Sequence, residues 1–150
     1  MNEATLNEAP SEVAAVAKLP VVGAIVALIG LADAAYLAVH HLTAEPVPCT
    51  IVAGCETVLT SSYAQIAGVP LAAFGAIAYF LAFALALLTA FGNRTMWTLF
   101  GIQVVLMSLF TAWLLYLQGY VIGAFCQFCL ISAITTFTML GVFLASRFTR

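Results

Sequence analysis

A chain of 150 residues that is 65% hydrophobic and only 7% charged, with a mean hydropathy of +1.15, lacks the polar surface that a water-soluble domain of this size requires. Composition therefore points to an integral membrane protein. The net charge of −2 and the absence of any basic cluster give no footing for nucleic acid or an anionic patch, so the expected surroundings are membrane lipid.

Residues 1–17 carry Glu3, Glu8 and Glu12 and no Lys or Arg. They lack the basic start of a cleaved signal, and the apolar run behind them is long enough to span a bilayer. A flexible acidic tail before an uncleaved first helix is the expectation. Crossing the hydrocarbon core takes roughly 20 apolar residues at about 1.5 Å each. Four runs qualify, at about 19–40, 69–91, 95–118 and 123–146. They are continuous, not alternating, which excludes a membrane barrel. The predicted fold is all-α, one four-helix membrane bundle over residues 18–147.

On the first span, Asp33, Tyr36 and His40 recur at three- and four-residue spacing and share a face. An ionisable group in a span is costly and turns inward, so Asp33 is expected either to hydrogen-bond helices together or to assist proton release. His40 and His41 fall at the interface. The segment 42–68 lies outside the membrane. Pro46 and Pro48 make a stiff extended lead-in, Gly54 eases a turn between Cys49 and Cys55, and Glu56–Ile66 reads as a short surface helix. Gly92-Asn93-Arg94 is a tight turn between spans two and three. Gln103, Ser108 and Thr111 on span three are expected to hydrogen-bond between helices. Trp97, Trp113, Tyr116 and Tyr120 near span ends read as aromatic belts.

The basic residues Lys18, Arg94, Arg147 and Arg150 all fall at one end of the spans. By the positive-inside rule that end, with both termini, is cytoplasmic. The four cysteines fall at the other end, in the periplasm or an equivalent oxidising exterior, where disulfides persist.

Those cysteines form two pairs, Cys49 with Cys55 and Cys126 with Cys129. Cys126-Gln127-Phe128-Cys129 opens the fourth helix, where unpaired N–H groups and the dipole favour a thiolate, while apolar surroundings oppose one. The two-residue spacing lets the pair cycle between dithiol and disulfide, although no thioredoxin-like βαβ context surrounds it. Structural disulfides bracing a non-enzymatic tetraspan protein, and a tetrahedral metal module, are the alternatives. Tiny loops in a chain already held by four helices gain little from structural bridges, so redox pairs are the favoured reading.

These features resemble bacterial members of the vitamin K epoxide reductase family. The resemblance rests on Gly30 to Tyr36 and on to His40, Cys49 and Cys55 followed by Glu56 to Ser61, Gly68-Val69-Pro70 with Gly75 and Tyr79, and Phe125-Cys126 to Ala133. It covers about residues 19–146. It implies a thiol–quinone oxidoreductase of the bacterial inner (plasma) membrane, with ubiquinone or menaquinone as its quinone and no metal. Cys49 would be attacked by a reduced thioredoxin-like (DsbA-like) periplasmic partner, and Cys55 would exchange with Cys126. Cys129 would stand nearest the quinone. Ser61, Leu71 and Phe74 fall at the implied quinone site. Leu71 stands where many members carry asparagine, and Ala133 where the vertebrate enzymes carry tyrosine; both departures weaken the case for epoxide reduction and leave ordinary quinone reduction as the implied activity. Many homologues fuse a fifth helix and a thioredoxin-like domain. This chain stops at Arg150, and a separate partner polypeptide is expected.

Overall fold

The computed structural model describes residues 3–149 apart from position 53, with side chains from Lys18 onward. Helix α1 runs Glu3–Leu42, α2 Cys55–Leu59, α3 Leu71–Ala90, α4 Arg94–Tyr116 and α5 Gln127–Phe148. Within them lie four stretches long and apolar enough to cross a membrane, Lys18–Leu42, Leu71–Ala90, Arg94–Ile122 and Gln127–Phe148. The expected tail at 1–17 has a helical backbone from Glu3, and its side chains lie outside the described residues, as does Arg150.

The spans form a ring in which α1 packs on α3 and α5, and α4 packs on the same two helices from the far side. Small residues make the α1–α3 contact close. Ala24, Ala27 and Ala34 meet Ala82 and Ala86, all buried, which is how helices associate where lipid removes any hydrophobic incentive. Large apolar side chains such as Leu109, Leu106 and Ile134 stay outside, where hydrocarbon solvates them.

Gly30 lets the Tyr79 ring cross this seam, because a Cβ at position 30 would overlap ring carbons of Tyr79. The Tyr79 hydroxyl, 1% exposed with its residue, donates to the Ser132 carbonyl at 2.8 Å and meets the hydroxyls of Ser132 and Thr136 at 2.7 and 2.8 Å. One side chain thus ties α3 to α5 across the ring, past α1.

Polar residues of the third span divide three ways. Gln103 Nε2 donates to the Ala78 carbonyl of α3 at 2.6 Å, an interhelical bond as expected. Ser108 instead donates to Val104 in its own helix at 2.8 Å, and Thr111 faces the cavity described below. Trp97 is also not a belt residue. It is buried, stacks on Phe100 at 4.7 Å and donates to Ser146 Oγ at 2.8 Å, locking α4 to α5. Trp113, Tyr116 and Tyr120 are exposed, as a belt requires.

Outside the spans, the expected surface helix over 56–66 is broken up. α2 is only five residues, a 3₁₀ turn follows at Ser62–Ala64, and strand β1 (Gln65–Ile66) pairs antiparallel with β2 (Val69–Pro70). Ala67 at φ 53° and Gly68 at φ 81° form the two-residue turn, the positive-φ pair that suits a tight hairpin. This hairpin redirects the chain into α3.

Replacing Gly30 with Ala forces the Tyr79 ring off its three partners. We expect a loss of about 1–3 kcal/mol, the usual cost of overpacking a tight contact, read as a lowered unfolding temperature in detergent. An unchanged midpoint would show that the Tyr79 cross-tie is unimportant.

Candidate active site

The loop that carries Cys49 and Cys55 is fastened at both ends. Val47 N–H donates to Glu56 Oε1 at 3.1 Å. Thr50 and Ile51 N–H both donate to Gln127 Oε1, at 3.1 and 2.9 Å. Gln127 lies between the other two cysteines, so its amide clasps one pair's loop to the other pair's helix. Gly54 lies against the Phe125 backbone, where a Cβ would strike the Phe125 carbonyl and amide. Cys49 and Cys55 are joined as a disulfide, whereas Cys126 and Cys129 are free thiols.

Backbone bonding prepares the second pair. The chain after α4 passes into a π-helical turn, Leu117–Ile122, closed by Gly123 at φ 74°. π turns are rare and re-aim side chains, often at functional positions. Here the turn buries Gln118, which is 4% exposed. The Gln118 carbonyl accepts from Ala124 N–H at 3.1 Å and its Oε1 accepts from Cys126 N–H at 3.2 Å. Both bonds fix Cys126 as the residue that caps α5.

All four sulfurs then share one apolar cluster. Cys55 and Cys126, each 0% exposed, pack with Val58, and Cys49, Cys129 and Phe128 pack around them. The Cys126 thiol is lowered from its ordinary 9.0 to about 6. The largest cause is hydrogen bonding to the Cys129 thiol. The N–H groups of Cys129 and Phe128 at the start of α5 add to it, and burial opposes. These N–H groups are the orphan donors that any helix start presents.

Below this cluster lies a cavity of about 390 Å³, walled by Cys129 and mostly apolar side chains from α1, α3, α4 and α5. Ser61, Leu71 and Phe74, the residues assigned by resemblance, all line it. Ser61 and not Ser62 is the serine that reaches the cavity. Its hydroxyl donates to the Val58 carbonyl at 2.6 Å and caps no helix. Phe74, Leu106 and Phe110 are at once cavity wall and lipid-facing surface, so the space borders the hydrocarbon between α3 and α4. An apolar slot with hydroxyl, phenol and amide groups on its walls, open toward lipid, fits a flat quinone ring with two carbonyl oxygens.

From α1, the cavity receives Asp33, Ala34, Leu37 and His41. His41 Nε2 lies 2.7 Å from Gln65 Nε2 at the outer rim. Tyr36 and His40, expected on the same face as Asp33, sit on its flank instead. The Tyr36 ring packs 5.3 Å from Phe128 and 4.3 Å from His40. Asp33 Oδ2 is buried with no hydrogen-bond partner, so that oxygen makes no helix-anchoring bond. Gln118 and Gln127 were both missed by sequence reasoning. A glutamine inside Cys-x-x-Cys, at a helix start that carries two thiols, was the available signal for Gln127.

Residues 21–144 match the Vitamin K epoxide reductase family, and the chain belongs to that family. Over 116 residues, 71% of its length, it is 33% identical to the thiol-disulfide oxidoreductase LTO1 of Arabidopsis thaliana. The match covers 31% of that plant protein, so the chain spans about a third of the relative's length.

Two outcomes follow from this geometry. Alkylation of Cys126 by a small electrophile, located by peptide mass, should show a midpoint near pH 6, with the rate flat above it and falling about tenfold per pH unit below it. Cys129→Ala removes the largest cause and moves the midpoint up; a wild-type midpoint near that of an ordinary thiol would contradict the arrangement. Gln127→Ala releases two loop N–H groups, and we expect faster hydrogen exchange at Thr50 and Ile51 by about tenfold, a shift of about 1.4 kcal/mol. Unchanged exchange would mean the loop is held by other contacts.

Proposed function

We propose that this member of the vitamin K epoxide reductase family is a membrane thiol–quinone oxidoreductase that supports disulfide formation outside the cytoplasm. The single observation that carries the reading is that both thiol pairs meet in one apolar cluster whose innermost cysteine, Cys129, walls a lipid-bordering cavity. The name of the plant relative, a thiol-disulfide oxidoreductase, supports the same chemistry.

The order of events is read from exposure. Cys49 is half-buried and Cys55 fully buried, so a dithiol protein of thioredoxin-like type attacks the Cys49 sulfur and releases Cys55 as a thiolate. Cys55 attacks Cys126 of an oxidised inner pair, closing a transient bond between the two loops and releasing Cys129. The partner's second thiol attacks its own sulfur in the mixed bond, so the partner leaves as a disulfide and Cys49 is freed. Cys49 then displaces Cys126, restoring the outer disulfide and leaving the inner dithiol, the state in which the sulfurs stand in this structure. A stabilised Cys126 thiolate favours the reduced inner pair, which makes the inner disulfide more oxidising and supports inward electron flow. A quinone bound in the cavity, held by Ser61, Leu71 and Phe74 among others, would supply the two-electron sink.

Lys18, Arg94 and Arg147 lie at the ends of the spans opposite the thiols. The positive-inside rule therefore supports a cytoplasmic location for that end and an oxidising exterior for the cysteines of an inner-membrane protein.

Anaerobic quinone reduction with thiol counting tests the scheme. Cys129→Ala should reduce no quinone with any reductant. Cys49→Ala should fail with a protein dithiol yet keep activity with dithiothreitol, which reaches the inner pair directly. Equal loss with both reductants, or normal turnover without Cys129, would refute the order.

A further inference from the structure

A carboxyl group inside a span is costly, and an oxygen sealed from water without a donor costs more, unless it holds a proton or meets a ligand. Asp33 is in that position, since its Oδ2 is buried and unpartnered. The same side chain lines the cavity with Cys129, and Cys126, the other member of that pair, stands at the start of the same helix three residues earlier.

Few other groups there can exchange a proton. α3 contributes Tyr79, whose hydroxyl is already taken up by Ser132 and Thr136. α5 contributes Cys129, with Cys126 at its start. The 3₁₀ turn contributes Tyr63, and α1 contributes His41 at the outer rim. α4 and its π turn present only Thr111 and Gln118 as polar neighbours, and no Lys or Arg lines the cavity among the described residues.

An inner dithiol formed beside this cavity arrives with two protons. Cys126 sheds its proton readily, and the space around it is apolar. Asp33 is the one carboxyl group that lines the adjoining cavity among the described residues, and as a carboxylate it is a base. We propose that Asp33 accepts the proton of the Cys126 thiol at Oδ2 and holds it beside Cys129 until the inner pair is oxidised; the inference rests on the redox reading above. The Cys126 S–H bond breaks and an O–H bond forms on Asp33, leaving one thiolate and one thiol. Oxidation then joins the two sulfurs and releases two electrons and the Cys129 proton. With the proton held on Asp33, the total is two electrons and two protons, which is what converts a quinone to a hydroquinone. Asp33 returns to carboxylate, ready for the next dithiol.

Infrared difference spectroscopy on the purified full-length chain, dithiothreitol-reduced minus oxidised and without added quinone, tests this directly. We expect reduction to produce a protonated-carboxyl C=O band that is absent from Asp33→Asn. In quinone turnover, Asp33→Asn should be slowed about tenfold or more, within the range of a lost proton-transfer group, with a flattened pH profile, while Asp33→Glu keeps most of the rate. Absence of the band in the wild type, or an Asp33→Asn variant with wild-type rate and pH profile, overturns the proposal. If Asp33→Asn does not fold, the wild-type spectrum and Asp33→Glu still decide. A wild type that shows the band but reduces no quinone refutes the functional reading and leaves the Asp33 assignment standing.

Discussion

The backbone of Phe125 occupies the place where a side chain on Gly54 would be. That contact is the constraint on which the site depends, because it brings the start of α2 flush against the start of α5. Cys55 follows Gly54 and Cys126 follows Phe125, so two chain segments pressed together at one point deliver one cysteine each. The amide of Gln127 then fixes the rest of the loop by accepting from Thr50 and Ile51. Hydrogen bonds of this kind are individually worth only about 1 kcal/mol. A loop held this way is ordered, yet opening it costs little.

A second constraint operates inside the bundle. Gly30 and the alanines of α1 and α3 let helices approach closely, and Tyr79 bridges α3 to α5 through the gap at Gly30. Its partner Ser132 is one turn beyond Cys129 on α5, so the cross-tie also fixes the helix that presents the inner sulfur. Above that level, the larger side chains do not fill the ring, and the unfilled volume is the cavity beside Cys129. Packing close at one level and left open at another thus yields both a rigid frame and a lipid-bordering slot.

Much of this was legible in the sequence, for identifiable reasons. Apolar run length marks the spans because lipid tolerates only satisfied backbones, and the structure's four long helices agree with the expected runs to within a few residues. The pairing of Cys49 with Cys55 was legible from their positions in one external segment and is a disulfide in the structure, whereas the free state of Cys126 and Cys129 could not be read from the sequence. Ser61 was separable from Ser62 only by its offset from Cys55. What the sequence concealed depends on three-dimensional placement. Trp97 has the position of a belt residue, yet Ser146, 49 residues on, supplies a partner that draws it into the core. The stretch 56–66 has apolar spacing compatible with a helix, but the Ala67-Gly68 turn folds its end back as a hairpin. Gln118 gains its importance from a π turn, which shifts the register of inward-facing positions in a way that a 3.6-residue period does not anticipate.

Electron transfer from the outer pair to the inner pair requires contact between Cys55 and Cys126, which share one buried cluster. A chain carrying both Cys49→Ala and Cys129→Ala leaves only those two sulfurs. Mild oxidation in the membrane, followed by proteolysis and peptide mass analysis, should recover an intrachain Cys55–Cys126 bond in most molecules within one polypeptide. Finding the two thiols still free, or joined only between separate chains, would contradict the arrangement.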